Sequence, residues 1–494
     1  MTANKKTTAN ENNYRPFGQQ GTIPVNNQGN YQSAAAPAFN HQNPPIKKSK
    51  NLAIVIIIAV VAIFAVIGAV IAINPLGYDF DMFSGNSGAS RPVEGKKKSD
   101  KVVGEYLAQV HDGEKYVYIK TDGTVTAENV DIGMGCINFS EGLLAVYKDG
   151  KYGYVDKNGN TVIEYKYDVA NNFSEGLAVV GIDGKYGAID KEGNEVVELI
   201  YSAIGNNFSN GMVSVCDSYG YWGFVDKEGK LVIDQTYDMT REFSEDRVAV
   251  YDNDKGKYAY IDKNDYRVTD YIYDEAYDFK EGVAVVGIEY KDGYIDKDGK
   301  DITGIIYDEA YNFSEGLGRV EMNGRYGFVD KRGKMVAECI YDWAEDFSEG
   351  RARVKKGNKW GYIDKTGKEI IGFEYEDVKD FHEGIAVVKR DGMWGCIDKN
   401  GEIIVDFEYA FIGDFSEGCA MVRKDQYYGF IDKTGKLVTE IKYGYAEDFC
   451  GGLAVVANEN DDWGYIDKDG NEVIELKYHG ADSFKNINAT VRDN

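Results

Sequence analysis

The segment Trp360-Gly361-Tyr362-Ile363-Asp364-Lys365-Thr366-Gly367 decides the fold, because it returns with small changes every 34 to 36 residues along most of the 494-residue chain. The aromatic residue that opens it recurs at Tyr152, Tyr186, Trp222, Tyr258, Tyr326, Trp360, Trp394, Tyr428 and Trp463, and Asp292 replaces it in one copy. A degenerate copy around Tyr116 begins the series. The chain is therefore an array of one short unit, and such arrays form their core by packing each unit on its neighbours.

Three further positions keep step with the opening aromatic residue. An aspartate lies four residues after it, a tyrosine fifteen after it and a phenylalanine twenty-one after it, as in Asp364, Tyr375 and Phe381. The phenylalanine usually begins Phe-Ser-Glu-Gly, as at Phe313–Gly316. Because one short meander cannot bury enough surface to fold alone, we expect Tyr375 and Phe381 to pack against the next or the preceding unit.

Alternating polar and apolar residues in residues 351–384 indicate antiparallel strands joined by short turns. The predicted strands are Arg351 to Lys356, Lys359 to Asp364 and Lys368 to Phe373. The following segment, Tyr375 to Gly384, is expected to be irregular, with at most one helical turn. Each unit is therefore predicted to be a three-stranded antiparallel meander, and the fold class is an all-β repeat protein.

Glycine and aspartate have defined positions in this meander. Gly361, beside the tryptophan, indicates the close approach of a neighbouring backbone or ring. Asp364 is placed to cap the Asp-Lys-x-Gly turn with its side chain, and Gly367 is expected to take a positive φ there. The same acidic turn could bind calcium loosely, but no copy carries the bidentate glutamate of an EF-hand. We therefore expect no metal site and no cofactor.

These four repeated anchors resemble those of the WG repeat family of bacterial proteins, also called the KWG repeat family. The resemblance covers roughly residues 101–494. It implies a β-rich binding or scaffolding module, and it carries over no catalytic centre, because the family has none in common.

Two architectures would bury the repeat aromatics. Units that contact only their neighbours give an open solenoid or superhelical array, whereas blades that meet around an axis give a closed β-propeller. Propellers usually have about 4 to 8 blades, and this chain has ten or eleven copies. We therefore expect the open array, with the copy near Tyr116 and the final Phe484-Lys485-Asn486-Ile487 as its caps.

The N-terminal hundred residues differ from the repeat domain (101–494). Residues 1–50 are rich in Asn, Gln, Ala and Pro, which predicts a disordered tail. Residues 51–74 form an uncharged apolar run long enough for a transmembrane helix. Lys47, Lys48 and Lys50 precede it, so the positive-inside rule leaves the tail in the cytoplasm and the repeats outside the membrane. Residues 75–100 read as a flexible stalk.

Charge and cysteine content limit the partners. The net charge is −26, although residues 1–50 carry six basic residues against one acid, so the repeat domain is strongly acidic. Such a surface repels phosphates and argues against nucleic acid. The six cysteines form no Cys-x-x-Cys pair, and a disulfide among Cys396, Cys419 and Cys450 is left open.

The sequence offers no catalytic constellation. The chain has four histidines, at His41, His111, His382 and His479, and none stands at a recognisable spacing from a nucleophile or a metal ligand. We therefore predict that the protein is not an enzyme.

Binding is the remaining function class. The leading hypothesis is a single-pass cell-surface protein whose repeats form a scaffold or binding face for another protein. The residues predicted to form that face are the variable turns between the first two strands, which are Asp149-Gly150, Asp183-Gly184, Asn323-Gly324 and Asp391-Gly392. A second hypothesis is carbohydrate or cell-wall binding through the repeat aromatics, and a third is a spacer without a ligand. The aromatics, as structural anchors or as sugar contacts, are Trp222, Trp360, Trp394 and Trp463.

Overall fold

The computed structural model describes residues 105–127 and 139–489. The predicted tail (1–50), transmembrane helix (51–74) and stalk (75–100) lie outside these residues. Within the described ranges, no helix has the length and hydrophobicity needed to cross a membrane.

The copy used to predict the strands has the expected meander. Its first two strands, Arg351–Lys356 and Lys359–Asp364, have the predicted bounds. The third, Glu369–Tyr375, begins one residue later and ends two residues later than predicted. The all-β prediction is therefore confirmed at the level of the single unit.

A short additional strand was not predicted. Trp343–Ala344 pairs with Arg351–Lys356 and so extends the meander to four strands. The equivalent strand of the next unit, Asp377–His382, lies in the segment expected to be irregular. The expectation of an irregular segment is therefore wrong for Asp377–His382, and the described part of the chain contains no α-helix.

Within the described residues, forty-one strands form eleven antiparallel sheets, numbered here as blades in chain order. Blades 1 to 4 contain Tyr106–His111, Tyr116–Lys120 and Val125–Ala127; Leu144–Lys148, Lys151–Val155 and Thr161–Tyr167; Val169–Ala170, Ala178–Ile182, Lys185–Ile189 and Glu195–Tyr201; and Ala203–Ile204, Met212–Cys216, Trp222–Asp226 and Leu231–Tyr237. Blades 5 to 8 contain Met239–Thr240, Arg247–Asp252 and Lys257–Asp262; Glu275–Ala276, Val283–Ile288 and Lys291–Asp296; Glu309–Ser314, Leu317–Met322, Arg325–Asp330 and Met335–Tyr341; and Trp343–Ala344, Arg351–Lys356, Lys359–Asp364 and Glu369–Tyr375. Blades 9 to 11 contain Asp377–His382, Ile385–Arg390, Met393–Asp398 and Ile403–Tyr409; Phe411–Ile412, Cys419–Lys424 and Tyr427–Asp432; and Tyr445–Ala446, Leu453–Ala457, Trp463–Asp467 and Glu472–Tyr478. The last two strands, Gly480–Ala481 and Lys485–Asn486, belong to blade 1.

The end of the array pairs with its beginning. Tyr106–His111 of blade 1 forms antiparallel pairs with Gly480–Ala481 and with Lys485–Asn486. The expected open array is therefore wrong, and the structure is an eleven-bladed β-propeller, the alternative considered. The physical reason is that the two terminal copies, expected to be caps, satisfy each other's strand edges, and closure removes exposed edges.

The hydrophobic core lies between blades. Tyr375 and Phe381 are both buried, and they share one cluster with Tyr362 of blade 8 and Val388 of blade 9. The Tyr362 hydroxyl donates a hydrogen bond to the Lys379 carbonyl at 2.6 Å, which links the same two blades. The predicted packing of these anchors on a neighbouring unit is confirmed.

The glycine beside the motif tryptophan is fixed by close backbone approach. A Cβ atom on Gly361 would lie 2.5 Å from the carbonyl oxygen of Ile371 in the next strand. The pairing of these two strands shifts register between Trp360 and Tyr362, where the backbones converge. The prediction for Gly361 is therefore confirmed.

Candidate interaction surface

The Asp-Lys-x-Gly turn uses its aspartate for backbone capping. In blade 8, Asp364 Oδ1 accepts hydrogen bonds from the N–H groups of Thr366 (2.8 Å) and Lys368 (3.1 Å). Gly367 has a φ of 80°. The hydrogen bond from the Thr366 hydroxyl, with help from the two N–H groups, lowers the pKa of Asp364. Within residues 105–127 and 139–489, no group of three or more His, Cys, Asp or Glu side chains is arranged to hold a metal ion.

Phe-Ser-Glu-Gly links each blade to the next. Ser314 Oγ donates to the Phe347 carbonyl at 2.8 Å. Glu315 accepts the Gly350 N–H at 2.8 Å and pairs with the Lys365 ammonium at 3.0 Å. The equivalent glutamate–lysine pairs are Glu141–Lys191, Glu245–Lys297, Glu281–Lys331, Glu349–Lys399, Glu383–Lys433 and Glu417–Lys468. This end of the blades, called here the Glu rim, consists of these glutamates and lysines together with the Asp-Lys-x-Gly turns.

The four tryptophans predicted as anchors or sugar contacts are not brought together. Trp222, Trp360, Trp394 and Trp463 are each half-buried, in blades 4, 8, 9 and 11. Trp360 pairs with Tyr375 across its sheet. The cationic groups of Arg353 and Lys355 lie 5.9 Å and 5.3 Å from the centre of its ring. Trp360 is thus surrounded by residues of its own blade and of the segment that leads to the next blade.

The turns between the first two long strands lie at the opposite end of each antiparallel meander from the Glu rim. These turns, with the residues directly beside them, are called here the turn rim. The four turns predicted to bind are exposed, and both residues of each have positive φ. A Cβ atom on Gly150, Gly184, Gly324 or Gly392 would meet no atom within 4 Å. The turn rim therefore leaves its backbone open to solvent.

Cross-blade contacts hold these turns in place. Asp168, between blades 2 and 3, accepts the Asp183 N–H at 2.8 Å and pairs with the Lys151 ammonium at 2.5 Å. The same arrangement recurs at Asp274 and Asp308. Hydrogen bonding from Lys151 is the main cause of the lowered pKa of Asp168. One carboxylate thus ties the lysine of one blade to the turn of the next.

Exposed tyrosines stand on the turn rim. Tyr219 is 86% exposed and Tyr290 is 99% exposed. Further exposed tyrosines at or beside these turns are Tyr147, Tyr221 and Tyr427. Sequence reasoning missed them because tyrosine is also a repeated core residue here. The sequence signal that could have found them is position within the repeat, since Tyr219 and Tyr290 fall outside the four anchor positions.

The cysteines form no disulfide bond among the residues described. Cys216, Cys339, Cys396, Cys419 and Cys450 are free thiols, three of them buried. Burial raises the pKa of the Cys339 thiol to about 11 and that of Cys419 to about 11. The disulfide left open among Cys396, Cys419 and Cys450 is not formed.

Eleven repeated sheets closed into a ring define a β-propeller built from sequence repeats. A family model described as WG containing repeat matches ten consecutive segments of the chain. The matched residues are 152–186, 186–219, 222–255, 258–291, 293–326, 326–360, 360–394, 394–428, 428–460 and 463–492. The chain therefore belongs to the WG repeat family.

Other comparisons add no functional information. No match was found among curated proteins. Among solved structures, the chain is similar to a eukaryotic initiation factor (10% identity, TM-score 0.38, 76% of this chain and 98% of that one covered). It is also similar to BamB from Moraxella catarrhalis (14%, 0.25, 60% and 94%) and to the computationally designed Ika8 protein (15%, 0.27, 54% and 93%). Similarities at these TM-scores carry no argument about this chain.

Proposed function

We propose that this protein is a membrane-anchored, extracytoplasmic β-propeller without catalytic activity, whose turn rim binds another protein. The observation that carries the proposal is the set of exposed tyrosines on this rim, led by Tyr219 and Tyr290. Tyrosine combines a large apolar ring with a polar hydroxyl, and it is enriched in protein interfaces relative to other surfaces.

The rim is also preorganised for binding. Asp168 and its equivalents fix the turns by hydrogen bonds and ion pairs between blades. A surface that is ordered before binding loses less conformational entropy when a partner docks. This favours a macromolecular interface over a set of independent loops.

Charge indicates the kind of partner. Exposed acids on the turn rim are Asp149, Asp183, Asp254, Glu289, Asp391, Asp425 and Asp461. Complementary potentials steer association and select partners. The proposed partner is therefore a protein with a basic docking surface.

Site-specific photo-crosslinking in cells tests the interface. We would introduce a photoreactive benzoylphenylalanine at Tyr219 or Tyr290. Tyr266 is the matched control, because it is 75% exposed but follows an Asp-Lys turn at the opposite end of its blade. The expected result is a discrete adduct from Tyr219 and Tyr290 and none from Tyr266.

Adducts of equal yield from all three positions, or from none, would contradict a protein-binding turn rim. Pelleting of the full-length protein with purified peptidoglycan sacculi at high salt would instead support the carbohydrate alternative. The location is tested separately, by adding protease to intact cells. Cleavage of the repeat domain there is expected, and full protection would contradict the extracytoplasmic assignment.

A further inference from the structure

A cavity of about 520 Å³ lies between blades 6 and 7. It opens where the repeat lost its aromatic residue, because Asp292 stands at that position. The wall also includes Tyr277, Val285, Ala310 and Asn312. Each of these five residues has a counterpart 34 residues later in the chain, so blade 7 shows what the same place normally contains.

In blade 7 the equivalent place is filled by a guanidinium group. Arg319, the counterpart of Val285, is 9% exposed. Its guanidinium carbon lies 3.8 Å from the centre of the Tyr311 ring. Its Nη1 donates to the Ala344 carbonyl at 2.9 Å, and its Nε pairs with Asp346 at 3.0 Å. Tyr311, Ala344 and Asp346 are the counterparts of Tyr277, Ala310 and Asn312.

Blade 8 repeats the arrangement. Arg353 donates through Nη1 to the Val378 carbonyl at 3.0 Å and pairs through Nε with Asp380 at 2.9 Å. Its guanidinium carbon lies 5.9 Å from the Trp360 ring. Two consecutive blades therefore hold an arginine side chain on a carbonyl, a carboxylate and an aromatic ring at one repeated position.

Blade 6 keeps the tyrosine and the alanine of this site, at Tyr277 and Ala310, but not the cation or its carboxylate, since Asn312 stands where blade 7 has Asp346. Val285 replaces the arginine, and Asp292 replaces the ring that Tyr326 supplies in blade 7. Asp292 Oδ2 accepts the Ala310 N–H at 3.0 Å. Among the described residues, neither Asp292 nor its neighbour Glu275 forms an ion pair with a lysine or arginine. Burial, together with the charges of Glu275 and Glu309, raises the pKa of Asp292.

The aromatic side of the cavity is intact. The Tyr277 hydroxyl donates to Glu275 at 2.7 Å, and this hydrogen bond raises the pKa of Tyr277 to about 12. Arg241 lies 5.2 Å from the centre of the Tyr277 ring and is not part of the cavity wall. Tyr290 of the turn rim borders the cavity, so the cavity is continuous with the proposed interface.

We propose that this cavity binds the guanidinium group of an arginine side chain of the protein partner, in the position that Arg319 occupies one blade later. The inference rests on the proposed function. The guanidinium would stack on Tyr277 and pair with Asp292 and Glu275. Planar guanidinium suits stacking and carboxylate pairing better than ammonium does.

The test uses the full-length protein in nanodiscs and N-acetylarginine amide as the probe, measured by calorimetric titration. Asp292→Asn removes the charge without changing shape, and Asp469→Asn is its matched control, because Asp469 is exposed in an Asp-Lys-x-Gly turn at the opposite end of its blade from the turn rim. Val285→Arg combined with Asn312→Asp copies the blade 7 site and fills the cavity from within. We expect saturable binding that Asp469→Asn leaves unchanged and that each of the other two variants weakens by about tenfold or more.

Absence of saturable binding by the unaltered protein, or binding unaffected by Asp292→Asn, would overturn the inference. N-acetyllysine amide bound as tightly as the arginine derivative would overturn the guanidinium assignment. If circular dichroism shows that the double variant does not fold, Asp292→Asn decides alone. Crosslinks from Tyr219 and Tyr290 without binding of the arginine probe would leave the proposed function standing and remove this inference. Probe binding that is lost in the variants, without any crosslink from Tyr219 or Tyr290, would support a guanidinium site in the cavity and remove the proposed protein-binding turn rim.

Discussion

The two rims of the propeller use the same repeat in different ways. On the Glu rim, Glu315 and its equivalents bond the next blade through a backbone N–H and a lysine. On the turn rim, the aspartates between blades hold the turns through backbone N–H groups such as that of Asn323, while the neighbouring Gly324 faces open space. The comparison teaches that repeated residues with a partner in the next unit serve assembly, whereas the proposed recognition of another protein uses exposed positions of the turn rim.

The largest expected effect comes from breaking the ring itself. Deleting residues 480–494 removes the strands that complete blade 1, together with the buried side chains of Phe484 and Ile487. We expect a loss of about 5 kcal/mol or more in the free energy of unfolding, since each buried side chain alone is worth several. Thermal unfolding followed by circular dichroism measures it. An unchanged midpoint would favour the open array after all.

A smaller effect is expected from one anchor between blades. Phe381 is 1% exposed and packs between blades 8 and 9. Phe381→Ala should lower the free energy of unfolding by about 3 to 5 kcal/mol. Tyr290→Ala, on the turn rim, should change it by no more than about 0.5 kcal/mol. Denaturant unfolding of both variants compares core with surface, and equal losses would contradict the assignment of Tyr290 to recognition.

Acid should weaken the Glu rim. Burial raises the pKa values of Glu281, Glu315 and Glu349, but hydrogen bonds from the paired lysine and from backbone N–H groups outweigh it and lower them. With a folded pKa below the unfolded value of about 4.5, the unfolded chain binds more protons in that range. Stability is therefore lost as pH falls below about 4.5. Melting temperatures from pH 6 to pH 3 check this direction, and a midpoint that rises on acidification would contradict it.

The smallest effect concerns a single ion pair. The Glu315–Lys365 pair on the Glu rim is partly exposed, with 47% of the lysine and 31% of the glutamate side chain accessible. A double-mutant cycle with Glu315→Gln and Lys365→Met should give a coupling energy of about 0.5 kcal/mol. The same cycle on Lys151 and Asp168 of the turn rim is the comparison. A larger coupling energy for Lys151 and Asp168 than for Glu315 and Lys365 would show that stability is not concentrated on the Glu rim.

The sequence predicts the single unit better than the ring. The strands Arg351–Lys356 and Lys359–Asp364 could be placed because alternation and turn residues are local signals. Closure of the ring could not be predicted in this way. It depends on a small angle between successive blades that accumulates over the whole array, and no single residue of one repeat encodes that angle. Short strands such as Trp343–Ala344 were missed because two residues carry no periodic pattern.

The candidate sites also differ in how far the sequence could predict them. The turns at Asp149-Gly150 and its equivalents were predicted because the anchors left them free, and the structure finds them exposed. The cavity at Asp292 could be found from sequence only in part. The lost aromatic residue is visible in the alignment of copies, but the relation of Val285 to Arg319 has meaning only once Arg319 is seen to lie between two blades.

Closure by the last strands also has a consequence for biosynthesis. Blade 1 stays incomplete until the ribosome has released residues 480–486, so the nascent molecule is an arc with two unpaired strand edges. Pairing across the full length of the array carries a large loop-closure entropy and makes this step slow. Assembly thus begins from an open arc, and a chaperone that shields strand edges would act at this seam.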